Sequence, residues 1–218
     1  MLYGKHHQQN RLLSSDFHLV DHLQINDLSA TQDCNIFFEN VEQLTLQQTC
    51  HIRDNLEFFI ALDRIIPLDR LRKLNLHCQV LSLESLVHFL SLTPNCTQLT
   101  LTGQLTNNPS RLSMDIRMNK TTNLTVNPTC TLEQVKFLTK LCSQVQHLSI
   151  GIREEELRSI MRYLLSKCNK YTRHLTSLHI QSTGDIYIEK LENEFKSLGR
   201  TNKFAIEDIS YKRCHIWW

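Results

Sequence analysis

The sequence predicts an α/β solenoid, with short parallel strands in a curved sheet on the concave side and helices on the convex side. Three observations predict it. A six-residue pattern, apolar-x-x-Leu-x-apolar, returns along the chain at near-equal spacing. Leucine supplies 35 of the 218 residues, far ahead of any other apolar residue. The segments between the copies carry apolar residues at helical spacing, and 5 Gly and 4 Pro are too few for a turn-rich β-sandwich or a long disordered linker.

The copies run in order as VDHLQI at 20–25, VEQLTL at 41–46, LRKLNL at 71–76 and CTQLTL at 96–101. TTNLTV at 121–126 follows, with Thr121 weakening the first position, then VQHLSI at 145–150 and LTSLHI at 175–180. TNKFAI at 201–206 is an eighth copy with Phe204 in the leucine place. The central residues Leu23, Leu44, Leu74, Leu99, Leu124, Leu148, Leu178 and Phe204 are separated by 21, 30, 25, 25, 24, 30 and 26 residues. Alternation about each leucine fits a short strand with one buried face. Units that are apolar on one face become stable only by stacking.

Helical signals fill most of the connections. Residues 154–169 place Leu157, Ile160, Met161, Leu164, Leu165 and Cys168 on one stripe, with Glu154, Glu155 and Glu156 suiting the N-terminal dipole. Residues 132–142 carry Leu132, Val135, Leu138, Leu141 and Cys142 behind a Thr131–Gln134 capping box. Asp54 and Glu57 make a similar start to a helix that Pro67 stops. Leu83, Leu86 and Leu90 mark a helix in 82–92, and Ile188, Leu191, Phe195 and Leu198 another in 186–198. The connection 103–120 reads as irregular.

Strand, turn, helix and turn at this period resemble the leucine-rich repeat proteins with long, helix-containing repeats. These are the ribonuclease-inhibitor-like type that also forms the arm of F-box/leucine-rich-repeat proteins. The resemblance covers roughly residues 17–206 and implies about seven to eight repeats. Residues 1–16 are then an N-terminal extension or incomplete cap, and 207–218 an aromatic capping segment ending in Trp217 and Trp218. One departure concerns the turns. The family's Asn or Cys after the strand is replaced here by Leu28, Thr49, Gln79, Gln104, Thr129, Arg153 and Thr183, so turns should vary between repeats. The sixteen leading residues are too few for an F-box, which leaves a fragment and a degenerate copy both open.

Composition narrows function. Lys and Arg number 24 against 22 Asp and Glu, a formal charge of +2. Residues 1–109 hold 7 basic and 11 acidic residues, and 110–218 hold 17 and 11, with signs alternating along the helical segments. A solvated surface explains that asymmetry, and nucleic acid is not an expected partner. No apolar run reaches the roughly 18 residues of a membrane span, and the opening residues lack a secretory apolar stretch. A cytoplasmic or nuclear location is expected, with the Asn-x-Thr sequons at Asn95, Asn119 and Asn123 read as chance matches and no membrane partner. The eight cysteines show no C-x-x-C pair and are expected as reduced core thiols without metal. His18 with His22, His6 with His7, and Cys50-His51 with Asp54 have the residue types but not the geometry of a metal or thiol site. No phosphate-binding or hydrolase motif occurs, so no catalytic, cofactor or metal residue is assigned and no enzyme activity is expected.

The expected site is the concave face. Residues beside each central leucine point away from the core: His22/Gln24, Gln43/Thr45, Lys73/Asn75, Gln98/Thr100, Asn123/Thr125, His147/Ser149 and Ser177/His179. Among them Lys73, Asn75, Gln98, Thr100, Asn123, Thr125, His147 and Ser149 form the central partner-binding patch. The expected role is a noncatalytic protein-interaction module, by resemblance a substrate-recognition arm of a ubiquitin ligase. The alternative is a steric inhibitor or regulatory scaffold of the ribonuclease-inhibitor-like type. The partner is a protein, and a ligase adaptor is expected only if an F-box is supplied upstream.

Overall fold

The computed structural model describes residues 2–4, 17–27, 31, 34–48, 56–106, 119–166, 169–182, 205–210 and 213–217. The chain forms two compact units, Met1–Lys120 and Thr121–Trp218. Both are α/β, with pairing that is mostly parallel in the first unit and evenly parallel and antiparallel in the second.

The first unit contains strands β1 (Leu2–Gly4), β2 (His22–Ile25), β3 (Gln43–Gln48), β4 (Lys73–Ser82) and β5 (Gln98–Thr106), paired in that order. Its helices are α1 (Leu56–Ile65) and α2 (Leu83–Leu92). Strands β2 to β5 are parallel, and β1 runs antiparallel to β2. The second unit contains β6 (Asn123–Cys130), α3 (Leu132–Leu141), β7 (His147–Ile152), α4 (Glu154–Leu165), β8 (Ser177–Ser182), β9 (Ala205–Ser210) and β10 (Arg213–Trp217). Strands β6, β7 and β8 are parallel, and β10 lies antiparallel between β8 and β9.

The repeat organises both cores. In the seven copies whose strands are described, all three apolar positions are buried, and none is more than 4% exposed. Leu23, Leu44, Leu74 and Leu99 are register partners in the first unit, as are Leu124, Leu148 and Leu178 in the second. Even Thr121, the weakest match, is fully buried.

One backbone device recurs at five strand entries. The carbonyl two residues before a central leucine accepts two N–H groups from the next repeat. Asp21 accepts from Glu42 and Gln43, Glu42 from Arg72 and Lys73, and Arg72 from Thr97 and Gln98. Thr122 accepts from Gln146 and His147, and Gln146 from Thr176 and Ser177, all at 2.8–3.1 Å. The Thr97 and Thr176 hydroxyls donate to the same Arg72 and Gln146 carbonyls. Both lone pairs of the oxygen are thereby used.

Helices α2, α3 and α4 begin where their sequences predict. Ser82 caps α2 by accepting from the Ser85 N–H at 3.0 Å. Thr131 and Gln134 close the expected capping box on α3. Leu81, Cys130 and Ile152, each just before a cap residue, are buried where a hydrophobic staple places its first member. In the first unit the Phe59 ring lies 4.7 Å from Phe89, locking α1 to α2. In the second, the Thr139 and Tyr163 hydroxyls meet at 2.9 Å between α3 and α4.

Several details differ from the sequence reading. Strand β5 extends to Thr106, into the stretch read as irregular. The eighth copy does not stack parallel on the seventh. Its described residues, Ala205 and Ile206, belong to β9, and β10 takes the place beside β8. The reason is visible in the alternation Cys214-His215-Ile216: Cys214 and Ile216 pair with Ile180 and Leu178 and are themselves buried. The helix expected in 186–198, Asp54, Phe204 and Trp218 lie outside the described residues.

A bulge separates the core of β4 from its last turn. His77 pairs with Thr102 and Val80 with Gln104, so Cys78 and Gln79 face the single residue Gly103. Gly103 has φ +123°, and a Cβ there would fall 1.5 Å from the Cys78 carbonyl oxygen. Gly103→Ala should therefore cost more than the roughly 1–3 kcal/mol of backbone strain alone. A denaturation midpoint unchanged from the parent would refute this. Leu99→Ala, in the shared core, should cost about 2–5 kcal/mol. Gln98→Ala, exposed on the other face, should cost less than about 0.5 kcal/mol. Equal losses in chemical denaturation would mean the register is wrong.

Candidate functional site

The period of two along a strand sends the neighbours of each buried leucine to the opposite face of the sheet. In the first unit that face carries Lys73, Asn75, Gln98 and Thr100, with Lys73 opposite Gln98 and Asn75 opposite Thr100. In the second it carries Asn123, Thr125, His147 and Ser149, with Asn123 opposite His147 and Thr125 opposite Ser149. The eight expected site residues thus assemble as two groups of four, one in each unit. Lys73, Gln98 and His147 are exposed, and the other five are half-buried.

These faces are tied across the strands by side-chain hydrogen bonds. The Thr45 hydroxyl, 5% exposed, lies 2.9 Å from His22 Nε2 and accepts from Asn75 Nδ2 at 3.1 Å. Gln24 donates to Gln47 Oε1 at 3.0 Å, and His77 Nδ1 meets the Thr102 hydroxyl. In the second unit His147 Nδ1 meets Ser177 Oγ at 2.9 Å, and His179 Nδ1 meets Ser149 Oγ at 3.0 Å. Each such bond joins consecutive repeats and holds a polar group at a set orientation. The surface offers hydroxyls, amides and imidazoles in fixed rows, which suits hydrogen bonding to another macromolecule.

Three participants escaped the sequence reading. His77 and Thr102 extend the polar rows by one layer. His215 on β10 sits opposite His179, with ring centroids 6.2 Å apart. The x-apolar alternation through Cys214 and Ile216 is the signal that places His215 on the polar face.

Among the described residues, no three His, Cys, Asp or Glu side chains converge as a metal ligand set. His18 lies in the 3₁₀ turn Phe17–Leu19, while His22 is engaged with Thr45. His6, His7, Cys50, His51 and Asp54 lie outside the described residues. Among the described residues no helix is long and apolar enough to cross a membrane. Comparison with protein families, with curated proteins and with solved structures returns no match.

Cys34, Cys78, Cys96, Cys130, Cys142 and Cys214 are free thiols, and all but Cys34 are buried. Burial pushes the Cys78 thiol up to about 11 and the Cys130 thiol up to about 12. The thiolate is the reactive form, so both are inert near neutral pH. Titration of the denatured, unreduced chain should find eight free thiols, and fewer would refute the reduced state. Both thiols lose protons more readily in the unfolded chain, where the value is 9.0. The stability they contribute is complete below about pH 9 and is lost as pH rises toward 11 and 12. A Cys78→Ala/Cys130→Ala chain should lose less stability than the parent between pH 8 and pH 10.5, roughly mid-window. Parallel losses would sink this assignment.

Proposed function

We propose that the chain is an array of leucine-rich repeats of the helix-containing kind and acts as a noncatalytic protein-interaction module. Its partner docks on the polar face of the parallel strands. The observation that carries this reading is the contrast between the two faces of the strands. One face of each strand is an unbroken apolar layer, and the other presents amides, hydroxyls and imidazoles fixed by cross-strand bonds. Solenoid proteins commonly bind on their strand surface. Resemblance to F-box/leucine-rich-repeat proteins supports substrate recognition for a ubiquitin ligase as the finer role.

The fourteen residues flanking the seven leucines include a single formal charge, Lys73. Binding through them near neutral pH should depend only weakly on salt, unlike binding by a basic nucleic-acid surface. The test is affinity capture with mass spectrometry, scoring cullin-ligase adaptors and the principal partner. Replacing Asn75, Gln98 and Asn123 together with alanine should leave the thermal transition in place and reduce capture of that partner. Full capture by the triple variant, with loss on charge reversal along 132–142 or 154–169, would move the working surface to the helices.

A further inference from the structure

We propose that the strand face of the second unit binds an acidic protein segment in a proton-dependent manner, through His147, His179 and His215. This rests on the reading of the strand face as a docking surface and names the chemistry of its partner. Strand pairing makes the group. Ser149, His179 and His215 occupy one row across β7, β8 and β10, and His147 and Ser177 occupy the row beside it. The His179 and His215 rings stand 6.2 Å apart, edge to face.

The hydrogen bonds suit a change of charge. Both His147 and His179 engage a serine hydroxyl through Nδ1, at 2.9 and 3.0 Å. A hydroxyl can donate to a bare Nδ1 or accept from an Nδ1–H, so proton uptake leaves the ring held. Among the described side chains of this face, none besides the imidazoles carries a charge. Strand β6 contributes neutral Asn123 and Thr125. Strand β10 places Arg213 opposite Gln181, and β9 places Glu207 opposite His215. With neutral imidazoles the described side chains of this face carry no formal charge. With all three protonated they carry +3.

Imidazoles change charge in the range around pH 6.5, so falling pH turns a neutral hydrogen-bonding face into a cationic one. Charge complementarity then selects a segment rich in Asp and Glu. A short fluorescein-labelled Glu-Gly peptide is the probe, read by anisotropy at about pH 7.5 and 5.5 in about 50 and 300 mM salt. Binding should tighten roughly tenfold at the lower pH, and the gain should vanish at the higher salt. A Lys-Gly peptide should gain nothing. His179→Gln/His215→Gln should flatten the pH dependence, and His147→Gln, at an exposed position, should reduce it where the double variant fails to fold. Equal affinity at the two pH values, or unchanged pH dependence in the variants, would overturn the proposal. Tighter binding of a thymidine oligonucleotide of equal charge would overturn the acidic protein segment as the occupant. If the peptide shows no pH effect while the Asn75/Gln98/Asn123 variant still loses its protein partner, this inference fails and the docking surface stands.

Discussion

The doubly accepting carbonyl found at five strand entries is the constraint from which the rest follows. Asp21, Glu42, Arg72, Thr122 and Gln146 each take two amides from the succeeding repeat. That contact sets where the next strand begins relative to the last. A slip of one residue would turn every leucine outward and every polar neighbour inward. Pinning the entry therefore fixes both faces at once, the stacked Leu–Leu core and the hydrogen-bonded polar rows. The cross-strand bonds His22–Thr45–Asn75 and His147–Ser177 exist because this phase is kept.

The chain absorbs differences in repeat length away from that entry point. The 30-residue interval between Leu148 and Leu178 includes successive turns in which Asn169, Thr172 and Leu175 donate to Ser166, Asn169 and Thr172. The 30-residue interval between Leu44 and Leu74 holds Pro67 and the 3₁₀ turn Leu68–Arg70. Bulges do related work at the strand exits. Two residues of β4 face Gly103, and Asn127 and Pro128 interrupt the pairing of β6 with β7. Each bulge lets a strand register on its neighbour and still deliver a capped helix a few residues later.

What was legible in the sequence is what repeats. The apolar-x-x-Leu-x-apolar phase predicted which residues are buried in seven described copies, down to Thr121, whose hydroxyl makes it a poor match by composition alone. Capping chemistry at Thr131 and the apolar stripe from Leu157 to Cys168 placed α3 and α4, though α4 ends at Leu165, short of the expected 169. What was not legible depends on direction and pairing. Strands of either direction show the same alternation, so Cys214-His215-Ile216 did not reveal that it enters beside β8 in the reverse sense. Nor does Gly103 announce a bulge, since the residues that need its missing side chain, Cys78 and Gln79, lie on another strand. The site was legible by face, because period two is local, whereas the approach of His179 to His215 arises only from folding.

The antiparallel strands at β1 and at β10 with β9 have a further meaning. A stack of parallel repeats is a lattice in one dimension, and its edge repeats the instruction for adding another identical layer. Each addition needs a strand running the same way, offering its entry amides to the carbonyl before it. The antiparallel strand β1 on β2, and the hairpin of β10 and β9 on β8, present the opposite polarity and break that translational symmetry. Among the described strands, addition of parallel layers is thus ended at β1 and at the β10–β9 pair by reversal of chain direction.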